Sequence, residues 1–523
     1  MIKNIKWLLI ASISLVACNK DDETVVVEPE VPVIAGSANF SKYVALGNSL
    51  TAGFSDSALF KEGQKGSYTN ILATQFKLVG GGQFKIPFMN DNVGGLLFGG
   101  NANPKFGPRF SVNSVVNNNP IIGPIVGGVS TTEVFNPAIS AAGPYNNMGV
   151  PGAKSFHLLA PGYGNGAGLA TNPPTANPYF VRFASSASTS VLADAMAQSP
   201  TFFSLWIGNN DVLGYALSGG DGTDPITPSA GAPGVGFDAT YTALVTTLTS
   251  GGAKGVIGNI PYVTTIPNFT TVPFNPITSS LLGGGNTIVG DGTIDALNTN
   301  LYGPLKQVLT ALSAGDRLNL LSKTAANPLL ISDESLPNLS AQITAAFTAS
   351  LGAATAGAFG AIYGQARQAT KNDLVLLATR GVIGSSNHSA PASINKFGIS
   401  FPLRDKDILI PTEVAELKTA TDSFNVTIKS LASSKGLAFV DANALLSQVA
   451  NGGVRFGQYH LSSSFLVGGA FSLDGVHPSP RGYALIANEF MKAINAKYGS
   501  TFRAVDLGNY PIQYPKVIGN NNL

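Results

Sequence analysis

Two short apolar runs, each followed directly by a glycine, constrain the fold of this chain more than any other feature. Residues 43–46 and residues 202–207 are apolar without regular polar alternation. Such runs are typical of parallel strands that are covered on both faces. A helical pattern over residues 237–248 and a strand pattern over residues 254–260 complete a strand–helix–strand unit. The sequence therefore predicts an α/β fold with a parallel sheet between helices.

A serine and an asparagine follow these two runs. Ser49 lies in the turn after the first run, and Asn210 lies in the turn after the second. Open α/β sheets bind ligands at the carboxyl ends of their strands, so both side chains are expected at a ligand-binding edge. Serine and asparagine are also ordinary turn residues, so neither identifies a site alone.

A candidate base and a candidate acid lie together near the C-terminus. Asp474 and His477 are three residues apart on a predicted loop, where one turn could bring them side by side. A serine hydroxyl needs a base to become a nucleophile, and histidine suits that task near neutral pH. A carboxylate in turn orients the imidazole. Taken alone, the pair also fits an Asp-Gly turn beside a solvated histidine.

Four segments resemble the four sequence blocks of the SGNH (GDSL-type) esterase and lipase family, in the order of that family. They are residues 43–51, 147–152, 205–211 and 474–478. Asn48 stands where the family usually has an aspartate, at a position that is not catalytic in the family. The resemblance covers the sheet and the site but not the long segments between the blocks.

The resemblance implies a three-layer α/β/α sandwich with a parallel, flavodoxin-like sheet. It implies that Ser49 is the nucleophile and that Asp474 and His477 complete a catalytic triad. No metal and no organic cofactor are implied. The expected reaction is hydrolysis of a carboxylic ester through an acyl-enzyme, on acylated glycans or on lipid or short-chain esters.

An oxyanion hole is also implied by the resemblance. Its donors would be the backbone N–H groups of Ser49 and Gly152 and the side-chain amide of Asn210. Gly149 is the alternative to Gly152. A different class of protein, an inactive surface glycan-binding lipoprotein with the same fold, is the alternative function. The joint presence of the triad and the asparagine argues against that alternative.

The N-terminus predicts export and a lipid anchor. Residues 1–18 have two lysines before an apolar run that is too short to span a bilayer. Residues 15–18 resemble a bacterial lipoprotein cleavage box, which would make Cys18, the only cysteine, the lipidated N-terminus. Residues 19–38 are predicted to be a flexible tether. Its acidic start resembles the surface-export signal of Bacteroidetes lipoproteins and also fits a solvated spacer. We expect an outer-membrane lipoprotein that faces the periplasm or the cell surface.

The rest of the chain, residues 39–523, is predicted to be one hydrolase domain. Large irregular insertions are expected at about 80–145 and 261–400, because these stretches are rich in glycine, proline and asparagine. Helices are expected over residues 65–78 and 480–498, and residues 340–365 are expected to form a buried or lid-like helix. The formal net charge is +2, only 11% of residues are charged, and no basic stripe is present, so nucleic acid is not an expected partner.

Overall fold

The computed structural model describes residues 32–116 and 119–518, with a five-stranded parallel sheet at the centre. Its strands are β1 Tyr43–Gly47, β2 Asn147–Gly149, β3 Phe202–Trp206, β4 Lys254–Gly258 and β5 Ala438–Val440. Their order is β2-β1-β3-β4-β5, and each neighbouring pair is parallel. This is the strand order of flavodoxin-like doubly wound sheets. The predicted α/β fold with a parallel sheet is confirmed.

Helices cover both faces of this sheet and line its carboxyl edge. They are α1 Tyr68–Phe76, α2 Asn210–Leu217, α3 Phe237–Thr249, α4 Pro411–Ser434, α5 Ala442–Ala450 and α6 Pro480–Tyr498. Val44 and Leu46 of β1 belong to a core shared with α3 and α4, whereas Tyr43 and Ala45 belong to a core shared with α1 and α6. Because successive side chains of a strand point to opposite faces, the sheet lies between two helical layers.

Helix α6 has bounds that the sequence sets clearly. The Ser479 hydroxyl caps its start by accepting a hydrogen bond from the Gly482 N–H at 3.0 Å, and Pro480 occupies the first helical position. Gly499 ends the helix in the left-handed conformation, with φ of 69°. Since the cap lies two residues after His477, this helix start holds the preceding loop at the carboxyl edge of the sheet.

The first insertion, at about 80–145, is largely irregular, as predicted. Its regular elements are the hairpin of Phe110–Val116 with Asn119–Pro124, the short strands Leu97–Phe98 and Asn101–Ala102, and the helix Pro137–Ala141. The fully buried Arg109 donates hydrogen bonds to the carbonyl oxygens of Asn92 at 2.9 Å and Pro515 at 2.6 Å. This side chain therefore ties the insertion to the C-terminal segment.

The second insertion, at about 261–400, is not irregular, so that part of the prediction is wrong. Its helices are Pro267–Thr270, Ser279–Leu282, Thr287–Leu297, Gly303–Ala311, Ser340–Leu351 and Ala353–Tyr363. Tyr302, Ile343 and Tyr363 are buried in a core of its own. The single helix expected over residues 340–365 is two packed helices, divided at Gly352, where φ is 77°. Burial of scattered apolar residues outweighs the weak helix propensity of this Gly- and Thr-rich stretch.

Several shorter elements complete the described chain. They are the helices Ser49–Ala52, Lys61–Lys65, Pro178–Val181 and Val191–Met196, and the strand pairs Leu330–Ser332 with Ala366–Gln368, Leu374–Val375 with Ile408–Leu409 and Val454–Phe456 with Tyr459–Leu461. None of the helices in residues 32–116 and 119–518 combines the length and the apolar character needed to cross a bilayer.

The predicted signal peptide and Cys18 lie outside the described residues, as does most of the predicted tether. Its last part is packed against the end of α6. The Ser37 N–H donates to the Tyr498 carbonyl at 2.8 Å, and the Ser500 hydroxyl donates to the Ala35 carbonyl at 2.7 Å. The packed part of the chain therefore begins before residue 39.

Candidate active site

Ser49 lies in a tight turn at the carboxyl end of β1. A Cβ atom on Gly47 would fall 2.2 Å from Thr51 Oγ1 and 2.4 Å from the Trp206 carbonyl oxygen, so the turn accepts only glycine there. The Asn48 side chain accepts a hydrogen bond from the Leu50 N–H at 3.0 Å and caps the short helix that Ser49 begins. The turn thus presents the Ser49 hydroxyl at the edge of the sheet, as the sequence predicts.

The structure brings Ser49, His477 and Asp474 together in one hydrogen-bonded chain. The distance from Ser49 Oγ to His477 Nε2 is 2.9 Å, and the distance from His477 Nδ1 to Asp474 Oδ2 is 2.8 Å. The Phe54 ring packs against the imidazole, with 4.6 Å between ring centroids. With Nδ1 protonated towards Asp474, Nε2 is free to accept the Ser49 proton. This is the arrangement that serine hydrolysis requires.

Asp474 is held as a carboxylate by its surroundings. Oδ1 accepts hydrogen bonds from the N–H groups of Val476 at 2.9 Å and His477 at 2.8 Å, and Oδ2 accepts one from the Ser57 N–H at 2.8 Å. Burial by itself raises the pKa of Asp474, but the charge and hydrogen bonds of His477 and these N–H donors lower it to about 2. The group is therefore ionised at neutral pH.

A second buried acid supports this loop, and sequence reasoning missed it. Asp56 Oδ1 accepts from the Leu473 N–H at 3.0 Å, and the Asp56 N–H donates to Ser472 Oγ at 3.0 Å. The Ser472 hydroxyl donates to Asp474 Oδ1 at 3.0 Å. Arg109 Nη1 lies 3.5 Å from Asp56 Oδ2, and burial raises the pKa of Asp56 to about 7. The first insertion therefore supports the loop that carries Asp474.

The three predicted oxyanion donors lie around the same edge. Gly152 has φ of 80° in a turn closed by the Ala153 N–H and the Val150 carbonyl. Within the described residues, no hydrogen bond uses the N–H of Ser49 or Gly152. Asn210 Nδ2 donates to the Ala153 carbonyl at 2.9 Å, which leaves its second hydrogen available. These groups are available to a developing oxyanion.

Gly149, the alternative donor, has a packing role in β2. A Cβ atom there would fall 2.3 Å from the Ala52 nitrogen, so glycine permits the close approach of the short helix after Ser49. A Cβ atom on Gly152 would meet only Asn177 Nδ2, at 3.9 Å. The glycine at position 152 is therefore needed for its backbone conformation, and the one at position 149 for close contact.

Asp211 links the start of α2, where Asn210 lies, to the loop that carries Gly152. Its carboxylate accepts hydrogen bonds from the Ser155 N–H at 2.8 Å and the Ser155 hydroxyl at 2.7 Å. The residue is fully buried, and burial raises its pKa to about 6. The sequence contains Asp211 in the third block, but its partner Ser155 belongs to a distant segment that no local pattern identifies.

His157 follows the second block and has a structural role. Its Nδ1 accepts a hydrogen bond from the Lys154 N–H at 3.0 Å, and its ring stacks on Tyr163 with 4.5 Å between centroids. Burial, followed by the charge of Lys154, lowers the pKa of His157 to about 4. The imidazole is therefore neutral, and its role is to pack against Tyr163.

A mostly apolar cavity of about 110 Å³ opens beside Ser49. Asn48, Asn209, Asn210 and His477 lie at its polar end. Most of the rest of the lining is apolar, and it includes Leu213, Val263, Ile266, Leu445, Leu446, Val449, Ala470, Phe471, Val476, Leu485 and Ile486. This cavity cannot be predicted from the sequence, because its lining residues come from five separate segments.

The described residues contain one group of carboxylates close enough to share a metal ion. Oxygen atoms of Glu334, Asp405 and Glu413 lie within 4.8 Å of one another. None of these carboxylates lines the cavity beside Ser49.

Comparison of the chain with protein-family models, with curated proteins and with solved structures finds no match in any of these comparisons.

Proposed function

We propose that this chain is a serine esterase of the SGNH (GDSL-type) kind, which cleaves carboxylic esters through an acyl-enzyme. The observation that carries the proposal is the hydrogen-bonded chain from Ser49 through His477 to the ionised Asp474, at the mouth of a cavity. Ser49 and His477 are 428 positions apart in the sequence, and their side chains form the hydrogen bond that nucleophilic catalysis needs. The flavodoxin-like strand order and the position of Ser49 after β1 agree with the sequence resemblance.

The first half-reaction forms the acyl-enzyme. Ser49 Oγ attacks the ester carbonyl carbon as its proton passes to His477 Nε2, and Asp474 stabilises the imidazolium. The tetrahedral intermediate collapses, the bond from carbon to the alcohol oxygen breaks, and His477 donates its proton to the leaving alcohol.

The second half-reaction returns the enzyme to its starting state. Water attacks the acyl carbon and gives a proton to His477 Nε2. The bond from the acyl carbon to Ser49 Oγ then breaks, His477 returns the proton to Ser49 Oγ, and the carboxylic acid is released. In both steps the carbonyl oxygen becomes negative. The N–H groups of Ser49 and Gly152 and the amide of Asn210 are the donors that would stabilise it.

The N-terminal prediction extends this proposal to location and partners. The cleavage box at residues 15–18 supports a lipid anchor on Cys18 and an outer-membrane lipoprotein that faces the periplasm or the cell surface. The partners would be the membrane, through that lipid, and a small-molecule or glycan ester as substrate. The formal net charge of +2 does not favour nucleic acid as a partner.

Hydrolysis of p-nitrophenyl esters by the purified protein tests the proposal. We expect turnover by the wild type, covalent labelling of Ser49 by a fluorophosphonate, and loss of both in Ser49→Ala. His477→Gln should also abolish turnover. His460→Gln is its matched control, because His460 is exposed and the one side-chain hydrogen bond it makes within the described residues is to the Gly452 carbonyl. A labelled Ser49→Ala protein, or one with wild-type turnover, would contradict the assignment.

A further inference from the structure

We propose that the apolar cavity beside Ser49 binds the acyl chain of the substrate, and that the preferred chain has about four to six carbons. This inference rests on the proposed esterase function. The cavity measures about 110 Å³. An apolar cavity of roughly 150 Å³ in another protein binds benzene, a six-carbon molecule. A volume somewhat below that suits a short aliphatic chain and exceeds what an acetyl group fills.

The walls of the cavity are apolar side chains that the protein leaves partly uncovered. Leu445 and Leu446 come from α5, Ile486 from α6, and Phe471 from the loop before α6. All four are packed against the core on one side and remain partly exposed. An aliphatic chain in the cavity would remove this surface from water, which is the favourable term in apolar binding.

The side chains that line the cavity exclude charged ligands. In the described part of the chain, no aspartate, glutamate, lysine or arginine lines the cavity. Its polar side chains, which include those of Asn48 and His477, are grouped at the end that carries the proposed catalytic residues. A sugar or a charged head group placed deeper would lose its hydrogen bonds to water without replacement. The ligand group is therefore neutral and apolar.

The buried part of the cavity lining favours the acyl group over the alcohol as the occupant. Val449, Ala470 and Leu485 form part of the lining, and each is at least nine-tenths buried. The acyl group stays bonded to Ser49 Oγ between the two half-reactions, whereas the alcohol must leave with a proton from His477 before water enters. A recessed apolar lining suits the group that stays, and a solvent-exposed side suits the group that departs.

A series of p-nitrophenyl esters tests the chain length. We expect kcat/KM to rise about fourfold per methylene from acetate to butyrate, which follows from about 0.8 kcal/mol per buried methylene. The rise should stop between butyrate and hexanoate, and laurate should be a poorer substrate than hexanoate. A second series with acetate fixed and methyl, butyl and hexyl alcohols measures the other side of the ester.

Two substitutions at one wall residue separate a filled cavity from a damaged protein. Leu446→Trp should lower the ratio of hexanoate to acetate kcat/KM at least tenfold, because the indole occupies the cavity. Leu446→Ala should shift the optimum to longer acyl chains, because it enlarges the cavity. Opposite shifts in chain-length preference from two substitutions at the same position cannot come from a general loss of folding. A ratio of two kcat/KM values also cancels any difference in the fraction of active enzyme.

The outcomes distinguish this inference from the proposed function. Hydrolysis of no ester at all would overturn the esterase proposal and this inference with it. Hydrolysis with equal rates along the acyl series would overturn the acyl cavity alone. A rise along the alcohol series with a flat acyl series would also overturn it, since the alcohol would then occupy the cavity.

Discussion

Two buried carboxylates in this protein have opposite environments. The side chain of Asp474 is 8% exposed, and its two oxygens accept five hydrogen bonds, from Ser57, Ser472, Val476 and twice from His477. Glu413, at the start of α4, is 4% exposed. Its Oε2 accepts from the Ile410 N–H at 2.7 Å, but Oε1 has no hydrogen-bond partner within the described residues.

The pKa values of the two groups move apart, although burial acts on both in the same direction. Burial raises the pKa of Glu413 to about 8, and the nearby carboxylates Glu334 and Asp405 add to the rise. At Asp474, the interactions with His477 and the N–H donors outweigh burial, and the pKa falls to about 2. The difference teaches that partners, rather than burial, decide whether an acid is available as a catalytic carboxylate.

Removing the charge of Asp474 should give the largest effect. In Asp474→Asn, an amide replaces an oxygen that accepts from His477 Nδ1, so the imidazole loses its orientation and its stabilised charge. We expect kcat to fall about 10⁴-fold. Ester hydrolysis at pH 7 measures it, with Glu413→Gln as the matched removal of a buried carboxylate, which should leave the rate unchanged. A fall of less than tenfold would place Asp474 outside the triad.

Adding a carboxylate at the site should give the next largest effect. Asn210→Asp replaces the amide that donates to the Ala153 carbonyl with oxygens that only accept. The oxygen that faces the Ala153 carbonyl would then lack a donor, as Oε1 of Glu413 already does within the described residues. We expect kcat to fall about 10²- to 10³-fold with little change in KM, because the missing donor faces a charge that exists only after attack.

Melting temperature separates this effect from a structural one. If Asn210 were only a turn residue, Asn210→Asp and Asn210→Ala would lower the melting temperature, and activity would fall only with the folded fraction. A stable Asn210→Asp enzyme with wild-type kcat would remove Asn210 from the oxyanion hole.

Neutralising Glu413 should change stability instead of activity. Its pKa is raised in the folded state, so the unfolded chain loses its proton first, and stability falls as pH rises from about 4.5 to about 8. Glu413→Gln keeps an oxygen for the Ile410 N–H and cannot ionise. We expect it to be more stable than the wild type by about 1–2 kcal/mol at pH 8 and equal to it at pH 4.5. Urea unfolding at both pH values measures this, and equal curves at pH 8 would show that the carboxylate is paired.

The sequence predicts elements whose ends carry strong local signals and fails where contacts are distant. Helix α6 is predicted over residues 480–498 and observed there, because Ser479, Pro480 and Gly499 specify both ends. The helix predicted over residues 65–78 is observed as α1, but it begins only at Tyr68, because Ser67 caps its start and Lys65 ends a separate short helix. In the second insertion, Ile294 anchors the helix Thr287–Leu297 by burial that only the folded structure provides.

The candidate site follows the same rule. Ser49, Asp474 and His477 are predicted together because they lie in segments that resemble known sequence blocks, and the structure brings the three side chains within hydrogen-bonding distance. The Ser57 N–H, which bonds Asp474, is a backbone group that any residue could supply, and its position depends on the left-handed conformation of Asp56 and Ser57. The link from Arg109 to Asp56 joins segments 53 residues apart (109 − 56) and leaves no short motif.

Removing one of the five donors to Asp474 should give the smallest effect. In Ser472→Ala, Asp474 Oδ1 loses one hydrogen bond and keeps two, from the N–H groups of Val476 and His477. The Asp56 N–H also loses its acceptor. A single hydrogen bond is worth about 0.5–1.5 kcal/mol, so we expect kcat to fall about two- to tenfold with KM unchanged.

The control is Ser472→Thr, which keeps the hydroxyl and should restore most of the lost kcat. A purely structural role would instead lower the melting temperature of both variants without this recovery. Equal kcat values for Ser472→Ala and the wild type would mean that the remaining donors suffice, and the contrast with Glu413 would then depend on the His477 pair alone.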